Sequence, residues 1–400
     1  MSILETWQAD ILQRGRCLPR DVFMYGIGIA TEFPKLFAAR EVFHGVQPEN
    51  KTETEGDVTV LPLAGALSEG RHTGLCDILM KESGEALTAN YYFAESFARA
   101  KGGLFIDARS GTTRVRIATT AKDGASDSII IVARRGAKVF VSEEITGDSS
   151  VGFTSADETF GRTVFLFAED GSVLTHSVLY KELARARWFY NRIAYAGVDA
   201  VVNCVEKEAV NDRNDADDES DNTQSSMLKS DTRGIVLGHG GSIGIIGLIS
   251  SGGLNHRDSY HGVLHKASGS TSRIRAFGEA RGASRIIYRG GIVVPPHISG
   301  VSASQRGNFF LHGAKAEIDA IPALEIEHPD THTEHALSIS SFTEYELLYP
   351  RLRGLSEKTA AKLALAGRYA GFLDESTRGM SDMHDIRLFF KKARGGIEEA

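Results

Sequence analysis

The chain has 400 residues, 42% hydrophobic and 24% charged, which excludes global disorder and leaves room for a large core. Its 45 Lys+Arg against 52 Asp+Glu give a net charge of −7, the wrong balance for a dedicated nucleic-acid binder, and three scattered cysteines (Cys17, Cys76, Cys204) exclude a disulfide framework or a Cys-based zinc site. No run approaches the roughly 18 apolar residues of a membrane span, and segment 1–20 carries Glu5 and Asp10, so the expectation is no secretory signal, no membrane, no nucleic acid and a cytoplasmic location.

Residues 2–14 place Ile3, Leu4, Trp7, Ile11 and Leu12 at helical spacing and predict an amphipathic helix. Further helices are predicted at 33–43, with Pro34 in the first turn, and at 84–100. The polar stretch 50–57 reads as a loop. Residues 1–101 are therefore an N-terminal helical or mixed region.

From 102 to 335 the texture changes. Short apolar or alternating runs appear at 104–108, 128–133, 138–141, 163–168, 198–205, 243–249, 286–288 and 292–294, bounded by glycine or polar turns. The chain holds 42 glycines and only 9 prolines, and glycine supplies the positive φ of tight turns. A small turn opens a strand repeatedly: Gly136-Ala137-Lys138, Asp170-Gly171-Ser172, Gly240-Gly241-Ser242, Gly282-Ala283-Ser284 and Gly313-Ala314-Lys315, about 34, 70, 42 and 31 residues apart. Such periods suit a β-solenoid, whose turns stack to bury one continuous core; a β-sandwich with ordinary glycine turns is the alternative. Residues 206–222 hold eight acids against Lys207 and Arg213 and read as a solvated acidic insertion inside this core. Residues 336–400 read as a C-terminal helical domain, with helices at 343–352, 357–370 and 382–393, Gly354 between the first two, and Pro350 expected to end or kink the first.

Gly238-His239-Gly240-Gly241-Ser242-Ile243-Gly244 lacks both the GxGxxG spacing and a P-loop lysine, so this chain is expected to bind no nucleotide. Gly269-Ser270-Thr271-Ser272 is not a nucleophile elbow. Two histidine groups, His256, His261, His265 and His328, His332, His335 with Glu334, are candidate metal ligands or hydrogen-bonded structural imidazoles. On a strand, His261 and His265 share a face and His256 points the other way. Glu317, Asp319, Glu325 and Glu327 recur at period two or its multiples; they form either a solvated ladder or the groove of a β-helix enzyme acting on acidic carbohydrate.

Three ordered segments carry a family resemblance. The first is His256-Arg257-Asp258, His265 and Ser270-Thr271-Ser272-Arg273-Ile274. The second is Gln305-Arg306-Gly307-Asn308-Phe309-Phe310-Leu311 followed by Ala316-Glu317-Ile318-Asp319, Pro322 and Leu324-Glu325-Ile326. The third is Glu334-His335-Ala336, then Glu346-Leu347-Leu348-Tyr349 and Arg353-Gly354-Leu355-Ser356. Across about 254–371 the chain resembles the SufB/SufD family of iron–sulfur cluster assembly scaffolds. The resemblance implies a mainly β protein, a right-handed parallel β-helix flanked by N-terminal and C-terminal helical regions. It implies a non-catalytic scaffold that works with a SufC-like ABC-type ATPase, which hydrolyses the ATP, and with a SufB-like paralogue or a second copy. An iron–sulfur cluster would form transiently at that partner interface. The ATPase-contacting stretch maps to 343–356, with Leu347, Leu348 and Tyr349 as apolar anchors and Arg353 and Gly354 closing the helix; Pro350 departs from the family there. The SufB type has a cysteine just after the Gln of the second segment. Here that residue is Arg306, so the chain looks SufD-like, with His335 as interface residue and candidate cluster ligand. A purely structural adaptor, in which His335 has no role, is the remaining reading.

Overall fold

The computed structural model describes residues 2–20, 22–24, 30–32, 42–68, 72–147, 158–181, 186–208 and 225–377. Residues 33–41 of the second expected helix, residues 209–222 of the acidic insertion and the last expected helix at 382–393 lie outside them. No helix among the described residues is long and apolar enough to cross a membrane.

Helix α1 (Ile3–Gly15) starts at a capping box, in which Ser2 Oγ accepts from the Glu5 amide and Glu5 accepts from the Ser2 amide. After the short strands β1 (Val22–Met24) and β2 (Ala30–Glu32) comes β3 (Glu49–Pro62), then helices α2 (Leu63–Ser68), α3 (Thr73–Glu82), α4 (Gly84–Leu87) and α5 (Tyr91–Arg99). Fifteen strands follow: β4 (Gly102–Thr120), β5 (Ala125–Ala133), β6 (Lys138–Thr146), β7 (Glu158–Ala168), β8 (Val173–Lys181), β9 (Ala186–Ala196), β10 (Val201–Glu208), β11 (Met227–Val236), β12 (Ser242–Ser251), β13 (His256–His265), β14 (Thr271–Arg281), β15 (Arg285–Val294), β16 (Val301–His312), β17 (Glu317–Ile326) and β18 (Thr331–Ser341). Helices α6 (Glu344–Leu352) and α7 (Glu357–Thr377) close the described chain.

Each strand pairs in parallel with the strands two steps away, so even strands stack into one sheet and odd strands into the other. This is a parallel β-helix. Strand β4 belongs to both sheets: residues 102–108 pair with β5 and residues 112–120 with β6. Strand β3 pairs antiparallel with β4 and covers the N-terminal end. The expected loop at 50–57 is thus a strand. Apart from half-buried Asn50 its side chains face solvent and make no apolar pattern, but β4 supplies the backbone partners that extension needs.

The glycine turns lie on two different corners. One carries Gly136, Gly171, Gly240, Gly269 and Gly300 at positive φ; the other carries Gly253, Gly282 and Gly313. The irregular 70-residue spacing has a second cause besides the insertion. Asp199, at φ 52°, occupies the first corner between Gly171 and Gly240, and its amide donates to the His239 carbonyl (2.9 Å). Aspartate tolerates this left-handed conformation, so the corner carries no glycine signal.

Ile106, Val115, Ile131, Val139, Leu166, Leu174, Val202, Ile245, Ile274 and Ile292 fill the interior. Helices α1 to α5 cover the outer face of the odd sheet, where Trp7 packs on Phe97 and Phe165 at ring separations of 4.6 and 5.2 Å. Helix α7 covers the outer face of the even sheet through Phe372 and Tyr369 on Phe277, at 5.4 and 5.9 Å. The β-helix strands, with β3 that pairs on them, run from Glu49 to Ser341, and Glu206, Lys207 and Glu208, expected in the solvated insertion, are buried residues at the end of β10.

Charge also lies inside. Arg162 on β7 is fully buried and donates to Asp127 on β5 (2.7 and 2.6 Å), to Thr119 and Asn50 (both 2.8 Å) and to Glu143 on β6. Tyr190 donates to the other oxygen of Glu143 (2.8 Å). Two carboxylates and polar oxygens around one guanidinium offset a desolvation cost of several kcal/mol per ion. Burial opposes ionisation of Glu143, yet the adjacent Arg162 outweighs it and holds that carboxyl down at about 2.

Candidate functional site

The two ends of the β-helix differ, and the candidate site is the C-terminal end. Strand β18 pairs with β16 on one side, and among the described residues nothing pairs with its other edge. Register places Thr331, Thr333, His335 and Leu337 opposite Val301, Ala303, Gln305 and Gly307, the face that lines the interior. His335 therefore carries an inward-facing position on the last rung, and it is exposed, with no further rung over it among the described residues. Glu334 faces the other way and pairs with Arg306 at 3.4 Å.

No thiol stands near. Cys204 lies in the same inward column as His335, but Ile245, Ile274 and Gln305 intervene, which at the usual strand spacing is roughly 19 Å. It is fully buried, and burial pushes its thiol pKa up. Cys76 is also buried, and Cys17 is exposed in the N-terminal region.

The histidine groups do not form metal sites: among the described residues no three His, Cys, Asp or Glu side chains converge on one point. His261 and His265 share the inward face of β13 and His256 points outward, as strand geometry requires. His261 Nε2 meets Glu206 Oε1 at 2.7 Å, and His265 is held between Ser270 and Ser272 hydroxyls at 2.7 and 2.9 Å. Burial depresses His256 and His265 to about 4, so both are neutral at pH 7. In the second group, His328 Nδ1 accepts from the Asp330 amide at 3.1 Å, while His332 is exposed on the outward face of β18. Glu317 and Asp319 share the outward face of β17, and both lean on Arg285, at 3.4 and 2.7 Å.

A second surface lies on the C-terminal helices. Thr343 caps α6 in a capping box with Glu346, and Gly354 (φ 91°) ends it: the Gly354 amide donates to Arg351 and the Leu355 amide to Pro350. Pro350 does not stop the helix, which continues to Leu352. It falls in the last turn, where these closing bonds take over the carbonyls. No α6 residue is buried. Tyr345, Leu348, Tyr349 and Leu352 lie at i, i+3, i+4 and i+7 and are exposed by 85%, 45%, 65% and 75%, one outward apolar stripe. Of the three anchors implied by the resemblance, Leu348 and Tyr349 lie on this stripe, while Leu347 is off it and half-buried. Arg353 folds back to donate to the Tyr349 hydroxyl at 3.1 Å. Tyr345 and Leu352 were missed, although their helical spacing was readable.

The family model described as SUF system FeS cluster assembly, SufBD core domain, matches residues 115–368. The chain is 30% identical over 105 residues to the chloroplastic iron–sulfur cluster assembly SufBD family protein ABCI8 of Arabidopsis thaliana, covering 26% of this chain and 19% of that protein. Over 123 residues it is 28% identical to a SufBD family protein of Mycobacterium leprae, covering 31% and 14%. Over 141 residues it is 23% identical to one of Staphylococcus haemolyticus, covering 35% and 30%. It thus spans less than a third of the length of these relatives. With the match to the core domain extending from β4 into α7, the chain belongs to the SufBD family of iron–sulfur cluster assembly proteins.

Proposed function

We propose that this chain is a SufD-like, non-catalytic scaffold subunit for iron–sulfur cluster assembly. The observation that carries the reading is the bare edge of β18 with His335 on it. Exposed edges are ordinarily blunted by charge, proline or cover. Strand β17 is blunted by Pro322 and by Glu317, Asp319 and Glu325, whereas β18 has Glu334 as its lone acid and no Lys, Arg or Pro. An unprotected strand of eleven residues suits edge-to-edge addition of a partner strand.

The partner that fits is a SufB-like paralogue that brings a thiol. Iron–sulfur clusters are held chiefly by cysteine thiolates, and the matching position here is Arg306. The cluster is cargo at this interface: the partner supplies the soft ligands and His335 a single imidazole. The α6 stripe suits a SufC-like ABC-type ATPase, because each large apolar side chain buried there contributes about 1.5–3 kcal/mol. ATP is bound and hydrolysed by that partner, not by this chain, and the assembly works in the cytoplasm.

The test is native mass spectrometry of the tagged chain drawn gently from its host lysate, followed by cluster reconstitution with His335→Ala. Co-purification of an ATPase and a thiol-bearing relative, with cluster yield lost in the variant while the complex persists, is the expected result. A lone monomer, or a homodimer without ATPase, overturns the scaffold reading. Unchanged yield removes the role of His335.

A further inference from the structure

Gln305 is the most unusual side chain beneath the terminal rung. It is 1% exposed, it faces the interior of β16, and neither its Oε1 nor its Nε2 meets a hydrogen-bond partner. A buried amide in this state is unfavourable, and native proteins rarely keep one without use. Its place is also specifically cleared. The amide lies over Gly290 of the opposite sheet, where a Cβ would come within 2.0 Å of Nε2, so any side chain at 290 would collide with it.

The surroundings are polar and equally unsatisfied. Gly290 stands in register with His261, whose Nε2 is engaged by Glu206 while its Nδ1 has no partner. Tyr288, on the same inward face, packs on the His261 ring at 5.4 Å, and its hydroxyl has no partner either. On its other side Gln305 is the register partner of His335, one strand spacing away on the same face.

The geometry points to Gln305 as the positioning residue of His335, an assignment that rests on the scaffold reading above. Its carbonyl oxygen accepts the N–H of one ring nitrogen of His335. That bond fixes the tautomer and turns the second nitrogen, with its lone pair, out of the β-helix toward the cluster at the partner interface. A metal-binding histidine typically has its other nitrogen held in this way. Gln305 itself does not touch the cargo. No other group among the described residues engages the amide, so it is available to the imidazole by rotation of the two side chains, with or without a partner strand on β18.

The experiment compares the full chain with Gln305→Leu and Gln305→Asn, each labelled with 15N-histidine, with His335→Gln to assign the signal. The readout is the tautomer ratio of His335, and exposed His332 on the same strand is the internal reference. In the parent chain His335 should be biased to one tautomer and His332 should not. In Gln305→Leu the His335 ratio should fall to that of His332, and in Gln305→Asn, whose amide is one methylene shorter, most of the bias should be lost. Identical ratios for the two histidines in the parent chain, or an unchanged His335 ratio in both variants, would overturn the assignment. This readout needs no partner, so it stands or falls separately from the scaffold reading. In the reconstituted complex, Gln305→Leu should then weaken cluster retention about tenfold while partner binding persists.

Discussion

The β-helix has two ends built on opposite principles. At the N-terminal end β3 lies antiparallel across β4, with Glu49, Glu53, Glu55, Asp57 and Pro62 on the strand that faces outward, and five helices pack beside it. Its interior is pinned by Arg162, whose every polar reach is matched. At the C-terminal end, among the described residues, β18 has an open edge, is nearly uncharged, and is backed by an amide with no partner. At one end an added antiparallel strand and helices cover the fold; at the other, among the described residues, the last strand keeps an open edge.

The harshest way to break the comparison is Arg162→Met. It leaves Asp127 and Glu143 buried without their cation and should cost about 3–5 kcal/mol, read as a lower urea midpoint; a loss below 1 kcal/mol would mean that the N-terminal half does not depend on this ion cluster. Acid should act next, in two stages. His256 and His265 are neutral in the fold, with values near 4 against an ordinary 6.5, so the unfolded chain binds more protons and stability declines as pH falls from 6.5 toward 4. Glu143 contributes stability above 4.5 that is lost as pH falls through about 2. Urea titrations at pH 7, 5 and 3 should show a successive decline; a flat response between 7 and 5 would contradict the buried neutral histidines. Smallest is Ile339→Lys on β18, where the side chain is 41% exposed. Stability should change by less than about 0.5 kcal/mol, while capture of the thiol-bearing partner is lost. Retained capture would show that the edge is not the docking strand.

Much of the β-helix was legible because its corners are glycines and its apolar runs are short. Among the strands that escaped are two with buried charge. Strands β11 and β13 are absent from the apolar runs read as strands, and their Lys229, Asp231, Arg257, Asp258 and His261 are all buried and paired with residues distant in sequence. No local pattern reveals a partner 49 residues away, as Glu208 is from Arg257. The site divides in the same way. The α6 stripe is a matter of spacing along one helix and could be read directly. His335 was one of six clustered histidines by spacing, and only the family resemblance set it apart, since being last in a stack is a property of the whole architecture.

Stacking has a kinetic consequence. Within the β-helix each strand finds its neighbour about 30 residues away, as Ser242 does Thr271 and Thr271 does Ser302. Divided by 400 residues, that separation is about 0.08 of the chain, in the range of fast-folding helical bundles rather than β-sandwiches. Because β4 offers hydrogen-bonding edges to both sheets, it can template the first coil, and each later coil can settle on the one before as the nascent chain emerges. The last coil to form is then the one that carries His335, so this open edge matures only after the coils beneath it are in place.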